Sequence, residues 1–141
     1  MTDYSSMIQK LPGATVLALQ RDGWWMTAPN LDVLEMARKM KEWEARFSTM
    51  TGSMLPNNET AVIYHYCLEG NAYNIKVFTH ENHLPSISVI LPAAEWIERE
   101  IQDLFKVTFE GHPHPDRLIR PLQLEPGLFR EPGGSASKSE R

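Results

Sequence analysis

Two runs rich in Val, Ile, Tyr and Phe, residues 61–68 and 72–79, stand either side of Glu69-Gly70-Asn71. Strand-forming residues around so short a glycine-containing connection predict a β-hairpin. In the second run Tyr73, Ile75 and Val77 alternate with Asn74 and Lys76, so one face is to be buried and the other wet. A sheet covered on one side needs helices for that side, and the remaining chain supplies two.

The first follows another hairpin. Residues 14–20 read as a short strand, Arg21-Asp22-Gly23 as a turn and residues 24–28 as its partner. Pro29 ends that strand, and Asn30 is placed to cap a helix whose apolar positions Val33, Met36, Ala37, Met40, Trp43 and Phe47 recur at three- and four-residue spacing. Its outer face is read as carrying Glu35–Lys39 and Glu42–Arg46 pairs. Residues 49–59 hold Gly52, Pro56, Asn57 and Asn58, which predicts an exposed loop. Residues 86–91, bracketed by Pro85 and Pro92, read as an edge strand.

The second helix starts at Pro92 and runs to about Lys106, before Val107, Thr108 and Phe109 favour extended chain. Ala94, Ile97, Ile101, Leu104 and Phe105 form its apolar stripe. Glu95, Glu98, Arg99, Gln102 and Lys106 are assigned to the opposite, solvated face. Glu100 is placed at the stripe's edge beside Trp96 and Asp103, where a carboxylate needs a partner. The order ββαβββα predicts a single α+β domain over residues 1–120, with a mixed or antiparallel sheet and helices on one face. Residues 121–141, with Pro121, Pro126, Gly127, Pro132, Gly133 and Gly134, form an irregular tail suited to partner binding or disorder.

Composition narrows the chemistry. With 141 residues, a net charge of −4 and no run of Lys or Arg longer than two, the chain lacks the footprint of a nucleic-acid binder. The first ten residues lack the order of a signal peptide, and no apolar run reaches the roughly 20 residues that span a bilayer, which predicts a soluble, cytoplasmic chain. Cys67 is the single cysteine, so a disulfide or a four-cysteine cluster cannot be built from this chain alone. His80, His83, His112 and His114 are the only residues whose spacing invites a metal, and they sit in loops without the helical pairing of a metalloprotease. Glu100, Asp103 and His112 could serve acid–base chemistry, but neighbouring charges fit structural ion pairs better. No glycine-rich phosphate loop is present. The residues favour an interaction subunit over a free-standing enzyme; a small metal-binding α+β enzyme is the alternative.

A longer pattern carries this further. Glu98-Arg99-Glu100, then Asp103-Leu104-Phe105, then Phe109, Gly111, His112 and Pro113 resemble the signature of the 30 kDa subunit family of respiratory NADH dehydrogenase, complex I. That family includes the matching hydrophilic component of membrane-bound energy-converting [NiFe] hydrogenases. Asp116 stands where the family has a basic residue or Pro, and Arg117 comes one position later. Residues 127–131 only loosely resemble the family's downstream segment, and the short tail leans toward the hydrogenase branch. The resemblance implies a non-catalytic subunit without a cofactor of its own, peripheral on the cytoplasmic side of the membrane. Its partners would be the large subunit with the quinone or nickel–iron site and a small iron–sulfur subunit. Glu98, Arg99, Glu100, Asp103, Leu104, Phe105, Gly111, His112, Pro113 and Arg117 would then hold the helix and turn in register or face the partner.

Overall fold

The computed structural model describes residues 3–112. Its centre is a five-stranded mixed sheet in the order β1-β2-β5-β4-β3. The strands are β1 (Ala18–Gln20), β2 (Gly23–Thr27), β3 (Arg46–Met54), β4 (Thr60–Leu68) and β5 (Asn71–Phe78). Both predicted hairpins are present. The turn between β4 and β5 uses Glu69 and Gly70, both with positive φ (52° and 81°), the combination that matches the twist of adjoining strands. β2 and β5 run parallel, joined through the intervening helix and the β3–β4 hairpin; the other neighbours are antiparallel.

Alternation along the strands decides the core. Val62, Tyr64 and Tyr66 on β4 face the same way as Val77, Ile75 and Tyr73 opposite them on β5, and all six are buried. Helix α2 (Val33–Glu42) adds Val33, Met36, Ala37 and Met40 to this core, and helix α3 (Ala94–Phe105) adds Ala94 and Ile101. A short helix α1 (Tyr4–Ile8), not foreseen from the sequence, buries Ile8, and its Tyr4 ring lies 5.2 Å from that of Trp43.

Several expectations change. Asp32, not Asn30, caps α2, accepting the Glu35 N–H at 3.0 Å. The helix stops at Glu42, so Phe47 and Arg46 belong to β3, and the outer-face pairs are Glu35–Arg38 and Lys39–Glu42. Residues 49–54 are strand, paired to β4 through Met54↔Thr60. Residues 86–91 do not form a strand. The second, two-stranded sheet pairs β6 (His83–Pro85) with β7 (Thr108–Glu110) in parallel, and Ser86 leaves it through its N–H to Glu110 O at 2.8 Å.

Candidate functional site

Ala94, Glu98, Ile101 and Phe105 recur at four-, three- and four-residue spacing, so they share the inner line of α3. The expected face assignment therefore fails at Glu98. This carboxylate is fully buried, whereas Glu100 is only half-buried. At about 100° per residue Glu98 lies within about 40° of both Ala94 and Phe105, so helical phase places it on the apolar stripe, and its charge does not put it in water. A glutamate in the middle of an apolar stripe was the signal available.

The burial is compensated locally. Ser86 Oγ donates to Glu98 Oε1 at 2.6 Å, and the Ile87 N–H donates to Oε2 at 2.8 Å. Ser88 Oγ lies 2.8 Å from Ser86 Oγ and also acts on the carboxylate. The start of the turn over residues 86–91 thus presents donors from Ser86, Ile87 and Ser88 to the carboxylate. His112 completes the site from beyond β7. Its Nε2 lies 2.9 Å from Glu95 O and 3.7 Å from Glu98 Oε1. Because a carbonyl only accepts, Nε2 carries the ring proton in that bond.

Removal from water pushes Glu98 up to about 7 from 4.5, against the hydrogen bonds from Ser86, Ile87 and Ser88 that favour its charge. On the sheet side Tyr64 and Tyr66 are both buried, and burial and then the Glu98 charge hold their hydroxyls above the ordinary phenol range. Neither hydroxyl has a hydrogen-bond partner among the described residues. The site is a clasp between helix, turn and sheet, its carboxylate closed to solvent by the described residues around it.

The other signature residues divide. Asp103 is buried, Leu104 and Phe105 are half-buried, and Phe105 lies over Gly52 of β3. Arg99 stacks its guanidinium 5.7 Å from the Trp96 ring, which is 64% exposed. Gly111 has φ +84° and turns the chain toward His112. Pro113, His114, Arg117 and the tail over residues 121–141 lie outside the described residues. Histidines invoked for a metal are separated in role: His80 and His83 pair by their backbones, and His83 Nδ1 contacts Glu110 at 2.9 Å. Among the described residues, no three His, Cys, Asp or Glu gather as a metal site.

Residues 26–130 match the model of the respiratory-chain NADH dehydrogenase 30 kDa subunit family. The chain belongs to that family. Among its relatives is the C/D subunit of NADH-quinone oxidoreductase from Psychrobacter cryohalolentis, 35% identical over 115 residues that make up 72% of this chain and 20% of that one. The corresponding C/D subunit from Methylococcus capsulatus is 44% identical over 71 residues, 48% of this chain and 12% of that one. This family member therefore spans a fifth or less of those curated relatives. A chain of the archaeal membrane-bound sulfane sulfur reductase, a respiratory membrane complex, superposes with a TM-score of 0.71 at 26% identity, covering 89% of this chain and 79% of that chain. The trypsin-resistant fragment of Nqo5 shares the fold, with a TM-score of 0.60 at 24% identity over 72% of this chain and 89% of that one. No helix among the described residues is long and apolar enough to cross a membrane.

Proposed function

We propose that this chain is a non-catalytic assembly subunit of a complex I-type oxidoreductase, held peripherally on the cytoplasmic side of the membrane by its partners. The family match over residues 26–130 carries the reading. The clasp supports it, since Glu98 and His112 are turned inward to fix α3 while Trp96 and Arg99 are left at the surface. In this reading the chain holds no cofactor itself. Quinone or nickel–iron chemistry and the iron–sulfur clusters belong to a large catalytic subunit and a small iron–sulfur subunit docked against α3.

The quinone form is favoured by relatives named NADH-quinone oxidoreductase at 35–44% identity. The hydrogenase form is the second reading; the archaeal sulfane sulfur reductase that shares the fold supports only a place in a respiratory membrane complex. Purification of the tagged full-length chain from its host decides both questions. A large oxidoreductase subunit and an iron–sulfur protein are expected to co-purify; recovery of neither would end the proposal. Nickel in the recovered complex would identify the hydrogenase form, and NADH-dependent quinone reduction the other.

A further inference from the structure

β3 is the edge of the five-stranded sheet and, among the described residues, pairs only with β4. Alternate N–H and C=O groups of an edge strand point away from its neighbour and are available to another strand. Proteins usually protect such edges with charge, proline or short length. This one is nine residues long, contains no proline, and is uncharged from Phe47 to Met54. It carries a register shift between Phe47 and Thr49, and α3 packs on it through Phe105 over Gly52. Ser48, Thr49 and Thr51 are exposed along it.

Within the strands the charge is one-sided, although Glu44 precedes β3 and Glu59 precedes β4. None of the five strands contains Asp or Glu, although the chain has 18 acidic residues. The sheet face away from the core carries Arg46 and Lys76, with His65 between them in hydrogen-bond contact with Asn74 at 2.6 Å and Thr51 at 2.9 Å. A concavity of about 360 Å³ opens on that face next to the edge, lined by Arg46, Ser48, Thr49, His65, Cys67 and Asn74.

We infer that β3 receives an extended segment of a partner subunit as a sixth strand, with an acidic side chain directed into the concavity at Arg46. Main-chain hydrogen bonds would supply affinity, and alternate side chains would read the two faces. A second copy of this chain fits less well, because β3 itself has no acidic side chain to set against Arg46. The inference rests on the assembly function proposed above.

Hydrogen exchange of the full-length chain, alone and in the complex purified from its host, tests it. Alternate β3 amides are expected to slow by about tenfold or more on assembly, whereas the already paired amides of β4 change little. Arg46→Glu is expected to keep the melting temperature of the isolated chain and to lose most of that added protection. Recovery of oxidoreductase subunits with β3 amides as fast as in the free chain would overturn this inference alone. Recovery of no such subunit would overturn the proposed function with it. Protection that grows with concentration of the isolated chain would replace the partner strand by a second copy.

Discussion

A buried carboxylate whose proton affinity is raised makes the folded state the better proton binder. Glu98 titrates at about 7 when folded and near 4.5 when unfolded, so its contribution to stability is fully present below pH 4.5 and declines as the pH rises through 7. The full difference is worth up to about 3 kcal/mol. The groups facing it are the Ser86 and Ser88 hydroxyls and the Ile87 N–H from the turn, His112 from beyond β7, Tyr64 and Tyr66 from β4, and Glu95 on its own helix. Glu98→Gln keeps one accepting oxygen and removes the titration. Urea unfolding at pH 5 and pH 8 is expected to show the variant gaining about 2–3 kcal/mol relative to the parent between the two. Parallel pH profiles would sink this account. Glu100→Gln, at a half-buried position, is expected to shift stability by less than about 0.5 kcal/mol at either pH, the reverse of what a placement of Glu100 at the apolar edge and Glu98 in water implies.

At the scale of elements, Gly52 shows why β3 was hidden in the sequence. Thr, Ser, Met and Gly in succession look like a loop, because strand propensity depends on what a residue packs against. Here the missing side chain is the fit: a Cβ on Gly52 would lie 2.5 Å from Phe105 Cε2 and 2.6 Å from Cδ2. Gly52→Ala is expected to destabilise by about 1–3 kcal/mol, through overpacking at the α3–β3 contact. In a Phe105→Leu background the same change should cost clearly less, because the obstructing ring edge is gone. Additive losses in thermal melts would show that the ring is not the obstacle. By contrast, the β4–β5 hairpin and the buried stripe of α2 were legible, since both depend on local pattern. The clasp was legible only in part. His112 and the charged triplet stand out, but Ser86 and the Ile87 N–H meet Glu98 through tertiary folding, and nothing in the sequence around 86–91 marks them as donors.

For the whole molecule, stability and assembly should separate at the outer face of α3. Trp96 contributes little to the core at 64% exposure, and its contact with Arg99 is a surface cation–π pair worth about 0.5–1 kcal/mol. Large aromatic residues beside arginine are nevertheless the side chains that most often carry binding energy where proteins dock. Trp96→Ser is therefore expected to leave the melting curve of the isolated chain nearly unchanged while reducing recovery of the large oxidoreductase subunit by about tenfold. Leu19→Ser provides the comparison, since Leu19 is 66% exposed on β1, the edge of the sheet opposite β3 and its helix. Loss of general surface hydrophobicity would affect both variants alike. A docking contact at α3 affects only the first, and equal recovery from Trp96→Ser and the parent would move the partner interface to another face.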